Sequence, residues 1–276
     1  MPARKILFPA DNITRADVSR YYRRIAPYLL PWVQDRPLTL RQYPEGIDRE
    51  GFFHKHAPAH FPETIKRIQV PMHSDPGKLM AMVAAGTAED LVYFAGQHAI
   101  EIHMALSRAG NLERPDQMVF DFDPSDGDFE KVRTAAQALK VLLDARKLPA
   151  FVKTSGSRGV HVHVPLAADR EFAGVKAEAK AIAAELQAGL PDITTLEHRL
   201  KQRGDKVYID ILRNDHGMNV VAPYSLRAKP GAPVATPIDW EELGDKSLGP
   251  QRYTLKNIFR RLSRKEDPWR QFRLPG

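Results

Sequence analysis

Apolar and polar positions along the chain alternate in short runs, broken by a few stretches at helical spacing. Val18, Tyr22, Ile25 and Leu29 share one helical face. They follow Thr14-Arg15-Ala16-Asp17, which has the form of a capping box with Asp in place of Glu. A helix to about residue 30 is expected. Residues 38–43 read as a strand and residues 65–72 as extended chain. Asp75-Pro76 has the form of an N-cap followed by an N1 proline. The helix it predicts carries Leu79, Met82 and Val83 and stops at Gly86. Residues 91–94 and 99–104 read as strands.

Further along, Phe129, Val132, Ala136, Leu139 and Leu143 predict an amphipathic helix over residues 129–147. Residues 150–154 and 160–164 form two short strands about a glycine turn, a hairpin pattern. A helix follows over residues 172–190, then a strand over 206–212, a turn at 214–217 and an extended piece at 219–222. Leu255, Ile258, Phe259 and Leu262 mark a late helix with its basic residues outward. Prolines are spread throughout, with no repeat and no low-complexity linker. Strands and helices mix without strict βαβ alternation. The fold class is therefore α+β, with antiparallel pairing in the central sheet.

The chemistry centres on Asp121-Phe122-Asp123, at the end of an apolar run. Side chains in a strand alternate faces, so both carboxylates project the same way. Two carboxylates on one face repel unless a cation sits between them, and Mg²⁺ or Mn²⁺ suits hard oxygen ligands. Asp210, in Val207-Tyr208-Ile209-Asp210-Ile211, is a charge in a strand rich in β-branched residues and needs a partner. An arginine or a shared metal would serve. Three carboxylates can hold two ions roughly 4 Å apart, one activating a hydroxyl and one the leaving oxygen. The segment Lys153-Thr154-Ser155-Gly156-Ser157-Arg158-Gly159-Val160-His161-Val162-His163 adds N–H groups, hydroxyls, cations and imidazoles suited to phosphate. Its Ser155 to Gly159 turn lacks the order of a Walker loop, and a plain turn is the alternative. His161 and His163 alternate with valines, which should face the core and leave the imidazoles on the site side. Phe52 and Phe53 precede His54 and Lys55, a pattern that can stack on a base while cations hold the backbone. His54, His56 and His60 are closely spaced but have no cysteine beside them and no finger pattern, which argues against structural zinc.

Charge sharpens the picture. The 276 residues carry a net +7, and the pI near 9.5 favours a polyanionic partner. Residues 1–70 are net +5 and residues 251–276 net +6, while residues 71–250 are net −4. Basic ends about an acidic middle suit a metal site served by a nucleic-acid track. Cysteine is absent, which excludes disulfides and thiolate metal sites and fits a reducing cytoplasm. No signal peptide is expected near Arg4 and Lys5, and no run approaches the roughly 20 apolar residues of a membrane span.

In combination these segments resemble the polymerase domain of bacterial ligase D, a branch of the archaeo-eukaryotic primase superfamily. The resemblance covers nearly the whole chain. It rests on Lys5-Ile6-Leu7-Phe8-Pro9 with Thr14 to Val18, Gly51-Phe52-Phe53-His54-Lys55-His56-Ala57-Pro58, Glu101-Ile102-His103 and Phe120-Asp121-Phe122-Asp123-Pro124. It continues through residues 151–163, Tyr208-Ile209-Asp210, and Ala222-Pro223-Tyr224-Ser225-Leu226-Arg227 followed by Pro230 to Val234. It implies a single primase-polymerase domain over residues 1–276, with central, mainly antiparallel sheets flanked by helices. Residues 1–95 would be the DNA-end-binding part and residues 96–276 the catalytic part. It implies that Asp121, Asp123 and Asp210 are the catalytic carboxylates, binding two Mn²⁺ or Mg²⁺ ions. His103, Ser155, Arg158, His161, Arg203 and Arg227 would contact the nucleotide. Lys5 and Arg15 would grip the 5′-phosphate of the downstream strand, and Phe52 and Phe53 would stack on DNA. The family commonly has lysine where Arg15 stands, and arginine keeps the charge while adding a bidentate fork. The family's lysine in the turn near Met218-Asn219 is absent here.

The implied activity is addition of NTPs or dNTPs, with ribonucleotides favoured, to DNA 3′ ends at gaps and double-strand breaks in non-homologous end joining. Ku and a DNA ligase would be partners, and the setting would be the cytoplasm or nucleoid of a bacterium or archaeon, away from membranes. A stand-alone polymerase and a piece of a larger ligase both fit. Two rivals remain. A metal-dependent nuclease needs similar carboxylates but no triphosphate contacts, and a non-catalytic DNA-end-binding module needs the basic ends but not the three aspartates.

Overall fold

The structure is a computed structural model that describes residues 5–72 and 75–272. The strands of its first part are β1 (Ile6–Phe8), β2 (Ile13–Thr14), β3 (Leu38–Gln42), β4 (Phe52–His54), β5 (Arg67–Met72), β6 (Asp75–Val83) and β7 (Ala99–Ala105). They are followed by β8 (Gln117–Pro124), β9 (Phe151–Thr154), β10 (Val160–Pro165), β11 (Thr194–Thr195), β12 (Val207–Asp210), β13 (Asn219–Val221) and β14 (Pro237–Ile238). The helices are α1 (Arg15–Val33), α2 (Ala88–Gly96), α3 (Phe129–Ala145), α4 (Phe172–Gly189), α5 (Trp240–Gly244) and α6 (Ile258–Leu262).

The chain forms two compact units, each assembled from three segments. The first draws on Met1–Leu112, Asn219–Ala235 and Tyr253–Phe259, the second on Glu113–Met218, Thr236–Arg252 and Arg260–Gly276. The first unit holds a sheet in the order β13-β7-β3-β6-β5, with β4 added on β3 and a separate β1-β2 pair. The second holds a sheet in the order β11-β12-β8-β10-β9-β14. Among the described residues only the β11-β12 pair is parallel, so both sheets are mainly antiparallel as expected.

Helix α1 starts where the sequence pattern places it. The Thr14 hydroxyl accepts from the Asp17 N–H, and the Asp17 carboxylate accepts from the Thr14 N–H at 2.9 Å. The helix runs through Pro27 and Pro31 to Val33 because its buried face continues through Leu29, Trp32 and Val33.

Three expectations fail. Residues 75–83 are the strand β6 and not a helix. Met80 and Met82 lie opposite Val70 and Ile68 of β5, and these side chains form a small core with Ala84. Pairing with the strand just before it, and with β3 at Val83, overrides the helix that the Asp75-Pro76 signal implied. Residues 91–94 lie inside α2 and are not a strand. Thr87 and Asp90 close a second capping box, the same signature as at Thr14. The four-residue apolar run was too short to separate helix from strand by itself. The late helix is short, and Arg261 faces inward, paired with Glu242 at 2.8 Å.

In the second unit, α3 and α4 pack on the sheet. Met118, Phe120 and Phe122 of β8 and Val160, Val162 and Val164 of β10 are fully buried and share one face by register. The other face carries Asp121, His161 and His163. His163 is fully buried, with its ring centroid 4.9 Å from Trp269, so only part of that face stays open. His161 is nearly as covered. Both imidazoles lie on the carboxylate side, as the alternation predicts, and both are buried.

Gly159 shows how tightly β10 leaves its turn. A Cβ there would lie 1.6 Å from the Phe122 carbonyl oxygen, which is backbone and cannot swing away. Gly159→Ala should therefore lower the melting temperature sharply, at a cost of about 3 kcal/mol or more. Gly174→Ala, in a helix with open space about it, should hold or slightly raise it. Equal melting of the two variants would remove this constraint.

Candidate active site and DNA-end contacts

The three aspartates meet on adjacent strands of the second unit. Asp210 of β12 and His161 of β10 both lie opposite Asp121 in the ladders flanking β8, and Tyr208 lies opposite Asp123. Period-two alternation places all of them on one face. Each carboxylate has a basic partner. Arg158 reaches Asp123 at 2.9 Å, His161 Nε2 lies 3.4 Å from Asp121, and Arg213 reaches Asp210 at 3.0 Å. Asp210 also accepts the Leu212 N–H at 2.8 Å. The arginine partner weighed for Asp210 thus exists. Burial first, then the charges of Asp123 and Asp210, push the Asp121 carboxyl up to about 7, against Arg213 and Lys153.

As placed, the described side chains include no group of three or more acidic or imidazole residues gathered closely enough to hold a metal ion. Each of the three aspartates is turned toward its own basic partner. The donor set nonetheless fits a hard divalent ion. It is oxygen-rich and free of thiolate, and its central carboxyl is driven toward protonation when only these basic neighbours balance it.

The Ser155 to Gly159 turn is held by its own serine. Ser155 Oγ accepts the N–H groups of Ser157 and Gly159, both at 3.1 Å, and Gly156 takes a φ of 65°. Arg158 projects from this turn, half exposed. Arg203 lies over the Tyr208 ring at 3.8 Å and donates to the carbonyls of Glu197 (2.9 Å) and His198 (2.7 Å). The Arg203 guanidinium therefore stands beside the same strand as Asp210. Lys153, which opens the phosphate-binding segment read from the sequence, is fully buried opposite His161. One residue beside this face escaped the sequence reading. Arg213 carries no signal beyond its three-residue spacing from Asp210.

In the first unit, Glu101 is buried and gathers cations. His103 Nε2 lies 3.0 Å away, Arg227 Nε 3.4 Å and an Arg41 nitrogen 3.7 Å, and the Ala228 N–H donates to it at 3.0 Å. Burial opposes the charge, but the His103 hydrogen bond and Arg227 outweigh it and hold the Glu101 carboxyl down at about 2. His103 and Arg227 are thus brought together through one carboxylate. Ser225 Oγ accepts the Ile102 N–H at 2.8 Å, fixing the segment that leads to Arg227 on β7. Phe52 and Phe53 are 47% and 52% exposed. The Phe53 ring meets His103 edge-on at 5.5 Å and lies 5.0 Å from the Arg41 guanidinium. His54 is tied to Gln42 at 2.6 Å.

Lys5 and Arg15 also come together. The Arg15 N–H donates to the Lys5 carbonyl at 2.8 Å, and the Arg15 guanidinium donates to the Gly96 carbonyl at 3.3 Å. Lys5 Nζ pairs with Glu45 at 3.2 Å. The start of α1 is capped internally, so an anion at this corner would depend on side chains more than on free N–H groups.

The family described as LigD, primase-polymerase domain, matches residues 14–269. The chain belongs to that family. It is 34% identical over 271 residues to the multifunctional non-homologous end joining protein LigD of Pseudomonas aeruginosa, covering 97% of this chain and 32% of that protein. It is 28% identical over 270 residues to the bifunctional non-homologous end joining protein LigD of Bacillus subtilis, covering 97% of this chain and 43% of that protein. The chain thus spans well under half the length of these relatives. Among solved structures, the polymerase domain from Mycobacterium tuberculosis ligase D in complex with DNA superposes with a TM-score of 0.90 at 29% identity, covering 98% of this chain and 96% of that one.

The raised Asp121 carboxyl has a thermodynamic sign. A group that binds its proton more tightly when folded loses stability as pH rises from its unfolded value, near 4, toward its folded value of about 7. With a chelator present, Asp121→Asn should melt above the unmodified protein at about pH 8, by on the order of 1–3 kcal/mol. The difference should vanish near about pH 4. A variant that melts lower at about pH 8 would show that Asp121 is not under this repulsion.

Proposed function

We propose that this chain is a DNA-repair nucleotidyltransferase that adds NTPs or dNTPs, with ribonucleotides favoured, to DNA 3′ ends when gaps at double-strand breaks are filled. One observation carries the reading: Asp121, Asp123 and Asp210 share a face on paired strands, with Asp121 destabilised by the other two. Bound Mn²⁺ or Mg²⁺ would polarise the attacking 3′-hydroxyl and neutralise the leaving pyrophosphate. The three aspartates would hold the ions. Arg158 would exchange Asp123 for a triphosphate oxygen, and Arg203, fixed by two carbonyls and the Tyr208 ring, would present its remaining N–H groups to phosphate. His161 would donate from Nε2 once Asp121 turns to a metal. Ser155 would keep the turn in shape and orient Arg158.

In the first unit, Arg227 and His103 are assigned to the nucleotide, Phe52 and Phe53 to DNA stacking, and Lys5 and Arg15 to the 5′-phosphate. Kinship with end-joining proteins and with a polymerase domain solved on DNA supports the setting. It makes Ku and a ligase the expected partners and the DNA-containing compartment of the cell the expected location. No described helix is long and apolar enough to cross a membrane.

The test is a gapped duplex incubated with labelled nucleotide and Mn²⁺. The primer should lengthen. Shortening would indicate a nuclease, and unchanged but bound primer an end-binding module. Asp121→Ala, Asp123→Ala and Asp210→Ala should each lower extension at least roughly a hundredfold and keep DNA affinity within about threefold. Near-normal extension by any one of them removes that residue from the chemistry. Arg227→Ala should raise the nucleotide KM about tenfold or more, since charge-assisted phosphate contacts contribute about 1.5–3 kcal/mol. Lost DNA affinity with an unchanged KM would move Arg227 to the DNA.

A further inference from the structure

His98 closes the turn between α2 and β7 with a φ of 65°, in the left-handed region. Its N–H donates to the Ala95 carbonyl and its own carbonyl accepts the Tyr43 N–H, both at 2.9 Å, so the backbone is held on two sides. The same bonds collect charged groups. Tyr43 brings the turn that carries Glu45, and the Gly96 carbonyl, two residues before His98, accepts from the Arg15 guanidinium. Arg15 in turn holds the Lys5 backbone, and Lys5 pairs with Glu45. Among the described residues, Nε2 of His98 is buried without a hydrogen-bond partner. Burial, then the charges of Lys5 and Arg15, hold the imidazole below the ordinary histidine range, and Glu45 opposes them.

We propose that His98 couples capture of a 5′-phosphorylated DNA end to uptake of a proton from solvent. This inference rests on the reading of Lys5 and Arg15 as the 5′-phosphate contacts. Alone, the two cations disfavour a third positive charge beside them. A phosphomonoester brings a charge of about −1.5 to −2, cancels that field and makes the imidazolium favourable. Nε2 is covered, so the coupling acts through space and weakens as salt rises. Glu45 pairs with Lys5 in the free protein and is exposed, so a more highly charged phosphate can displace it. Because the imidazole binds its proton more tightly in the complex, its contribution to phosphate affinity falls as pH rises through the window between its free and bound values. The phosphate's own second ionisation, near about pH 6, has the opposite sign and is common to every variant.

His98→Asn tests this. Asparagine tolerates the left-handed backbone and does not titrate, and His98→Gly is a second variant that keeps the turn. The full chain is bound to gapped duplexes ending in 5′-phosphate or 5′-hydroxyl at about pH 6 and about pH 8. Calorimetry in two buffers of different ionisation enthalpy counts the protons taken up. Relative to the variants, the unmodified protein should lose roughly three- to tenfold of its phosphate preference between the two pH values and should take up more protons on binding. Intact phosphate preference with the same pH dependence and proton count in all three proteins overturns the role of His98. Absence of any phosphate preference in the unmodified protein overturns the 5′-phosphate reading itself, and this inference with it.

Discussion

Carboxylates set side by side on a sheet repel one another, and a surrounding of low dielectric strengthens the repulsion. The second unit accepts this at Asp121, whose neighbours in the ladder supply Asp210 on one side and His161 on the other. Antiparallel register is what makes the arrangement unavoidable. Once Phe120 and Phe122 are buried against the helical layer, residues 121 and 123 must face the other way, and a shift of one residue would bury both charges. The apolar core therefore fixes the acidic face. The basic residues about it, Arg158, Arg213 and Lys153, balance charge that the strands cannot move.

The first unit solves the inverse problem at Glu101. One buried carboxylate stands among Arg41, His103 and Arg227, so cations outnumber the anion and its proton is lost far below neutrality. Here the carboxylate is a positioning device. It orients a guanidinium and an imidazole and costs little, because every partner is itself charged or able to donate. The two units thus set carboxylates among basic residues by the same means, strand positions that face away from the apolar layer.

Much of this was legible in the sequence. The alternation about Asp121, Asp123 and Asp210 gave their common face, and the capping box at Thr14 gave the start of α1. The failures have local causes. The box at Thr87 was passed over because the apolar run behind it was only four residues long. The helix signal at Asp75 was outweighed by pairing with residues 67–72 just before it, since a capping signal reports a possible helix start and says nothing of a neighbouring strand. His163 read as a site-side residue because alternation reports the face and not its cover. Trp269, more than a hundred residues later, closes over it. Glu101 entered only as part of a motif, since a single glutamate between two apolar residues does not reveal how many cations other segments will bring to it.

Each unit is built from three separated stretches of chain, and the polypeptide passes between the units at five points. During synthesis, therefore, the first unit cannot be completed when residue 112 leaves the ribosome. Its sheet lacks the edge strand β13 until residue 221 has emerged, and Leu255, whose N–H donates to the Ala232 carbonyl, comes later still. Closure of the first unit is thus long-range and late, its entropy opposed until residues 219–259 have emerged. The same threading restricts how such a chain can be inherited. It can be joined to other domains at its ends, but no single cut separates its two halves into units that each keep a whole sheet.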